Sequence, residues 1–348
     1  MFMRARAMFY ILLVVAMASS CTAQRSLPLD LPDPQMTLQP SPTSLPTLTP
    51  RPEPLGSPSN PLVMAVLAAD PSPDQISAFT ELGALMSADT GLSVTTRVMQ
   101  SYIALETALQ KGEVHLAWLG PVEYILASAK GLVESQLVSN HLGVTAYGVQ
   151  FMANREVGLR SYYDTGTSKA TAPAAIALAQ LSGLKPCYTS PNSLTGYWVA
   201  AGYFKANNIP IEQPVLTQSS VGTIRALYVN KICNFGVTYG ISADPRTSSE
   251  IIVEFPDALE KVPIFWISDP IIPNLNLSTH RSVDSAMRLA ISEQLLQLSR
   301  QEAGKQLFSV GLNYETAGLQ ALPDSAYDTL RNLLSIQDTN LFSLVGLP

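Results

Sequence analysis

The chain has 348 residues, a hydrophobic content of 47% and a charged content of only 14%, which is the composition of a globular body. Its net charge of −6, without a basic stripe, argues against nucleic-acid binding. The three histidines are scattered, and no Cys/His cluster has the spacing of metal ligands, so the sequence predicts no metal site and no cofactor.

Residues 1–20 have the features of a secretory signal peptide. A basic stub precedes an apolar run over 7–17, which is too short to span a membrane, and small residues lead into Cys21. This ending is similar to a bacterial lipobox, so we predict an extracytoplasmic protein anchored to the cell membrane by a lipid on Cys21. The alternative is a plain cleaved signal with an incidental cysteine.

The segment 21–60 predicts a disordered tether. It is rich in Pro, Ser and Thr, and the recurring prolines from Pro28 to Pro58 break any helix or central strand. A tether between a lipid anchor and a folded body suits a surface lipoprotein.

The folded part begins with alternating strands and helices. Apolar runs predict strands over 61–68, 94–99 and 114–119, and helix-period patterns follow each of them. This βαβαβα order predicts a largely parallel sheet with helices on its faces.

A second unit repeats this pattern. Its predicted strands are 186–189, 215–218, 232–238 and 251–253, and extended crossings over 146–153 and 263–268 separate it from the first unit. The sequence therefore predicts an α/β clamshell, with lobe 1 over 61–150 and 266–348, lobe 2 over 151–265, and the crossings as hinge.

Candidate ligand residues follow the strands. In a parallel sheet each helix begins at the carboxyl end of the preceding strand, where ligands bind. Tyr102, Gly120 and Tyr124 come to this edge in the first unit, and Tyr239 follows the strand 232–238 in the second. Each tyrosine alone is more often a packing residue, whereas together they are candidates for lining one cleft.

The turn Ser193-Leu194-Thr195-Gly196 is the strongest of these candidates. Ser193 suits a helix N-cap, and the N–H groups of the first turn lack intrahelical partners at the positive end of the helix dipole. The turn therefore predicts an anion site. An ordinary capped strand-to-helix turn is the alternative.

Four segments together resemble the phosphate/phosphonate-type periplasmic substrate-binding proteins of ABC transporters, of the type II periplasmic binding protein family. They are Tyr102-Ile103-Ala104-Leu105-Glu106-Thr107-Ala108-Leu109, Ala117-Trp118-Leu119-Gly120-Pro121, Pro191-Asn192-Ser193-Leu194-Thr195-Gly196-Tyr197 and Pro270-Ile271-Ile272-Pro273-Asn274. The resemblance implies that the turn 193–196 holds phosphonate oxygens and that Tyr102 lines the same pocket.

The chain departs from the family pattern at three places. Leu194 replaces the middle hydroxyl of the turn, a family histidine is absent from 220–223, and Asn234 stands where the family has Asp. Because a carboxylate partner for an amine is missing there, we expect an oxyanion or another small polar ligand and not an aminophosphonate.

The resemblance implies a monomeric solute receptor that passes its ligand to an ABC permease of the inner membrane. An extracytoplasmic sensor domain of the same fold is the alternative. We predict no enzyme, because the sequence has neither a Gly-x-Ser-x-Gly elbow nor a paired His/Asp set.

In the topology that the resemblance implies, the strands carrying Cys187 and Cys233 are parallel neighbours. We therefore predict a disulfide between these two cysteines in an oxidising compartment. Two buried free thiols are the alternative.

Overall fold

The computed structural model describes residues 53–337 and 340–345. The predicted signal peptide, Cys21 and most of the predicted tether lie outside these residues. Within them, no helix has the length and apolar character needed to cross a membrane.

The folded body begins before residue 61. The Gly56 N–H donates to the Asn60 carbonyl at 2.8 Å, and the Ser93 N–H donates to the Gly56 carbonyl at 2.7 Å. Leu55 packs against the apolar core of lobe 1 that includes Leu62 and Phe79. The end of the predicted tether is therefore a turn fixed to lobe 1.

Helices and strands alternate through the first part of the chain: β1 (Leu62–Leu67), α1 (Pro73–Thr90), β2 (Val94–Met99), α2 (Tyr102–Gln110), β3 (Leu116–Leu119), α3 (Pro121–Ala129), β4 (Val133–Asn140) and β5 (Ala146–Met152). The middle part contains β6 (Tyr163–Asp164), β7 (Lys169–Ala170), α4 (Ala174–Ala177), β8 (Pro186–Tyr188), α5 (Val199–Ala206), β9 (Val215–Leu216), α6 (Ser220–Val229), β10 (Phe235–Gly240), α7 (Ser249–Glu254), α8 (Ala258–Lys261) and β11 (Ile264–Ile267). The last part contains β12 (Ile272–Pro273), β13 (Asn276–His280), α9 (Ser285–Leu298), α10 (Glu302–Gly311), β14 (Gly318–Ala321) and α11 (Asp328–Ser335).

The first sheet has the strand order β14–β4–β13–β3–β1–β2. β1 pairs in parallel with β2 and β3, and β13 returns antiparallel between β3 and β4. The strands β1 to β4 therefore run in one direction, and their carboxyl ends share one edge of the sheet. Alternate residues of β1 enter different cores: Met64 lies in one and Ala65 in the other, as expected for a strand covered on both faces.

The second sheet has the order β11–β5–β10–β8–β9. β8, β9, β10 and β11 run in one direction, and β5 runs against them. The carboxyl ends of β8 and β10 therefore lie at the edge where β5 begins.

The two crossings between the sheets form one paired ribbon. β5 pairs with β12 through Tyr147 and Ile272, and further along it pairs with β11 through Gln150 and Ile267. Asn274 then fixes the return to lobe 1, because its Nδ2 donates to the Val144 carbonyl at 2.7 Å. Residues 148–150 and 266–267, predicted in lobe 1, pair within the second sheet, where the register shifts between Ile264 and Trp266. Ala146 and Tyr147 pair with β12 instead.

Cys187 and Cys233 are joined by a disulfide with their Cα atoms 5.6 Å apart. Cys187 lies on β8 opposite Gly236 of β10, so the two strands are parallel neighbours. Cys233 comes just before β10 and not inside it, because that strand begins at Phe235.

The run Ile251–Val253 is helical, so the predicted strand at 251–253 is wrong. Ser248 caps α7 by accepting the Ile251 N–H. Ile251 is buried, whereas Ile252 and Val253 are 53% and 83% exposed, so only the first residue of the run packs inward from this short surface helix.

Candidate functional site

The predicted strand-to-helix turn is present. Residues 194–198 form a π-helical turn that continues into α5. The Ser193 hydroxyl accepts the Gly196 N–H at 2.9 Å, and the Ser193 carbonyl accepts the Trp198 N–H at 3.1 Å. π-turns are rare and are frequent at functional sites, so this helix start is not the common α-helical one.

Gly196 lies against the carboxyl end of β8. A Cβ at this position would lie 2.0 Å from the Thr189 hydroxyl oxygen, which leaves no space for any side chain. That hydroxyl is buried and has no hydrogen-bond partner among the described residues. The turn thus brings a buried, unpartnered hydroxyl beside the N–H groups of a helix start.

A cavity of about 320 Å³ opens beside this turn, between the two lobes. Thr195 of the π-helical turn and Tyr239 of β10 line it. Ser242 and Ala243, which follow β10, line it on the same side. The other walls come from the ribbon and lobe 1, with Tyr147, His141, Leu142 and Tyr314. These described lining residues include three tyrosines and no Lys or Arg.

The aromatic wall of the cavity is fixed by packing. His141 stacks on Tyr314 with ring centroids 4.4 Å apart, and its Nδ1 lies 2.8 Å from the Glu315 carbonyl. Burial raises the pKa of the Tyr147 phenol to about 12, so this hydroxyl stays protonated and can donate a hydrogen bond.

Tyr102 lies at the same edge, at the first position of α2. Ser101 caps this helix by accepting the Ala104 N–H at 3.3 Å. Tyr102 is 3% exposed, and it shares an apolar cluster with Val122 and with Leu194 of the turn. Its hydroxyl has no partner among the described residues, and burial raises the pKa of the phenol.

Glu123 is a residue of this edge that the sequence analysis misses. It lies in the first turn of α3, next to the cap residue Gly120, where a Cβ would lie 2.5 Å from the Glu123 Oε2. Burial raises the pKa of the Glu123 carboxyl, and its charge helps to raise the pKa of both Tyr102 and Tyr147. An acidic residue in a first helical turn is common, so the pattern gives no sign of a ligand group.

Tyr124 does not join the cleft. Consecutive helical residues point about 100° apart, and the Tyr124 side chain turns away from Glu123 toward the amino end of β4. Its hydroxyl donates to Asp324, and its ring lies 4.3 Å from that of Tyr327. It lines a separate cavity of about 570 Å³ with Arg281 and Arg331, at the opposite end of the first sheet.

Asn234 does not join the cleft either. Its Oδ1 accepts the Lys185 N–H, and its own N–H donates to the Lys185 carbonyl, both at 2.8 Å. This double contact joins the amino ends of β8 and β10. Tyr239 lies five residues further along β10, roughly 16 Å away at the usual rise of a strand.

The described residues contain no group of His, Cys, Asp and Glu that could hold a metal ion. The chemistry available at this edge is therefore hydrogen bonding from hydroxyl and N–H groups, with one carboxylate nearby.

Two solved structures with TM-scores above 0.5 support the two-lobed fold. A protein from Xanthomonas citri, XAC2383, in a structure with bound chloride, is 14% identical, covers 79% of this chain and 96% of its own, and has a TM-score of 0.55. The same protein with bound ATP gives 13% identity, the same coverage and a TM-score of 0.54. PhnD1 from Prochlorococcus marinus, in complex with methylphosphonate, gives 14% identity, coverage of 78% and 96%, and a TM-score of 0.47.

The sequence itself matches a family profile over residues 64–327, which spans both lobes and the ribbon. That profile describes the phosphonate periplasmic substrate-binding protein of ABC transporters, whose members bind a substrate for transport and are not enzymes. The chain belongs to this family of phosphonate-type periplasmic substrate-binding proteins.

Proposed function

We propose that this protein is a lipid-anchored extracytoplasmic receptor. It captures a phosphonate- or phosphate-like oxyanion between its lobes and delivers it, as a monomer, to an ABC permease. The observation that carries the ligand class is the helix start at Ser193–Gly196, beside the unpartnered Thr189 hydroxyl. The anchor at Cys21 is supported by the signal-like N-terminus alone.

Hydroxyl and N–H groups do the binding in this proposal. Thr195 lines the interlobe cavity, and the first-turn N–H groups of its helix carry the positive end of the dipole. A neutral, preorganised set of donors can hold an oxyanion without an ion pair, because each hydrogen bond to a charged acceptor is stronger than a neutral one. The Tyr102 hydroxyl is a further donor at the same edge.

Thr195→Val tests the anion site, because valine keeps the shape of threonine but removes its hydroxyl. We expect methylphosphonate binding to weaken by about 1–2 kcal/mol, the scale of one hydrogen bond to a charged group. Isothermal titration calorimetry measures this loss. Thr195→Ser keeps the hydroxyl and should retain most of the affinity, whereas equal affinity in wild type and the valine variant would contradict an anion held at this helix start.

The second prediction concerns how Glu123 makes ligand affinity depend on pH. An anion bound near this carboxylate is repelled by its charge, so affinity should rise as pH falls through the carboxyl pKa, which burial already raises. Glu123→Gln removes the charge at every pH. We expect it to bind methylphosphonate about tenfold more tightly at pH 8, the effect of roughly one pKa unit of coupling.

The measurement compares calorimetric affinities of wild type and Glu123→Gln from pH 5 to pH 8. The titration of free methylphosphonate is common to both proteins and cancels in their ratio, whereas repulsion of the bound dianion by Glu123 increases the ratio further at high pH. The ratio should approach one at low pH and grow with rising pH. Weaker binding by the glutamine variant would instead show that the carboxylate accepts a hydrogen bond from a protonated oxygen of the ligand.

A further inference from the structure

The C-terminal segment 340–345 lies across the cleft edge. Asn340 caps a single turn over Leu341–Leu344, its Oδ1 accepting the Phe342 N–H at 3.1 Å. The Phe342 ring lies 6.0 Å from the Tyr102 ring, and the Lys130 ammonium lies 4.8 Å from the Phe342 ring centre. This segment therefore contacts α2 and α3 of lobe 1 at the position of a candidate ligand residue.

The same segment meets lobe 2. Leu341, Phe342, Leu344 and Val345 share one apolar cluster with Tyr102 and Val122 of lobe 1 and with Leu194 of the turn. Val345 is 4% exposed. Because Leu194 takes the place of a hydroxyl residue in the turn, it offers an apolar contact to this segment where a serine or threonine would not.

The preceding chain alternates between the lobes. The Tyr327 hydroxyl accepts the Asn276 Nδ2–H at 2.7 Å in lobe 1. Then α11 packs on α5 of lobe 2, where the Gln337 Nε2 donates to the Trp198 carbonyl at 2.9 Å. Gly202 permits this approach, since a Cβ there would lie 2.6 Å from the Leu333 carbonyl. After that the chain returns to lobe 1 at Phe342.

We propose that residues 340–345 form a latch that holds the two lobes together before any ligand binds. Hinge opening moves Leu194 away from Tyr102 and Val122, so it exposes the apolar surface that the latch now buries. That exposure is unfavourable, and a closed cleft is therefore favoured even without ligand. Ligand entry and ligand release both require the latch to detach, so that the lobes can separate. This proposal rests on the two-lobed fold and not on the identity of the ligand.

The test uses the full chain and two substitutions of one residue. Phe342→Ala removes the ring from Tyr102, and Phe342→Lys also places a like charge beside Lys130. Phe255→Ala is the matched control, because Phe255 is also half-buried and stacks on a tyrosine, Tyr228 at 4.1 Å, but lies on lobe 2 away from the cleft.

The readout is the distance between the lobes without ligand, measured by double electron–electron resonance. The spin labels are attached to cysteines introduced at the exposed positions Ile103 and Val229. We expect longer and broader distances in the alanine variant, a larger change in the lysine variant, and none in the control. Wild-type distances in both folded Phe342 variants, checked by circular dichroism, would overturn the latch.

A second readout is the rate of methylphosphonate exchange by stopped-flow fluorescence. Association and dissociation should both become several-fold faster in the Phe342 variants, and unchanged rates would overturn the latch as a gate. The distance measurement needs no ligand. If methylphosphonate fails to bind wild type, the proposed ligand class fails while the latch is still decided by the distances.

Discussion

Replacing Cys187 and Cys233 together by alanine is expected to lower the free energy of unfolding by on the order of 4 kcal/mol. The two cysteines are 46 residues apart in sequence, and the chain-entropy treatment assigns this magnitude to a loop of that length. The cross-link joins β8 to the segment before β10, where Asn234 and Lys185 already clamp the same two strand ends. Without the cross-link, the unfolded chain gains the conformational entropy that the closed loop removes, and unfolding becomes more favourable.

Urea denaturation of both proteins, with and without a thiol reductant, measures the loss. Reductant should lower the midpoint of wild type toward that of the double variant and leave the variant unchanged. Mass spectrometry of non-reduced peptides checks the bond directly. Two alkylated thiols in protein taken from its native compartment would show that the cysteines stay free there.

Gly196→Ala is expected to affect both stability and binding. The new methyl group would lie 2.0 Å from the Thr189 hydroxyl oxygen and 2.9 Å from the Ser193 hydroxyl oxygen, and both belong to the candidate anion site. Relief requires the π-turn to move away from β8, which breaks the Ser193 cap. We expect a loss of about 2 kcal/mol in stability, the usual scale of overpacking, and at least a roughly tenfold loss of methylphosphonate affinity.

Thermal unfolding and calorimetry measure these two effects. Gly166→Ala is the matched control, because a Cβ there meets only the Asp164 carboxylate at 3.3 Å on an exposed hairpin. Adding Thr189→Ala to Gly196→Ala removes the nearest obstacle and should recover part of the stability but not the affinity. A Gly196→Ala protein with wild-type stability and affinity would show that the turn is not held this tightly.

The sequence by itself determined most of the elements, because their signals are local. The cap at Ser101, the proline that opens α3 and the cap at Ser193 all act within one helical turn, and each is present in the structure. The rule that parallel strands present their carboxyl ends at one edge predicts one cleft for Thr195, Tyr239 and Tyr124. In the structure Thr195 and Tyr239 line one cavity, whereas Tyr124 lines another. The predicted strand at Ile251–Val253 is wrong because the segment forms a capped surface helix. The β propensity of its residues reflects packing on a sheet, and this segment does not make that packing.

Side-chain direction and long-range contacts were decided by the tertiary structure. Glu123 and Tyr124 are adjacent in sequence, and only the packing of α3 against the first sheet sends one toward Tyr102 and the other toward Asp324. Asn234 is in a strand-like run, but the register of β10 places it at the end away from the cleft. The contact of Phe342 with Tyr102 joins residues 240 positions apart (342 − 102), and no local pattern encodes it. Such contacts depend on how the lobes and the C-terminal segment pack, and that packing is a property of the whole chain.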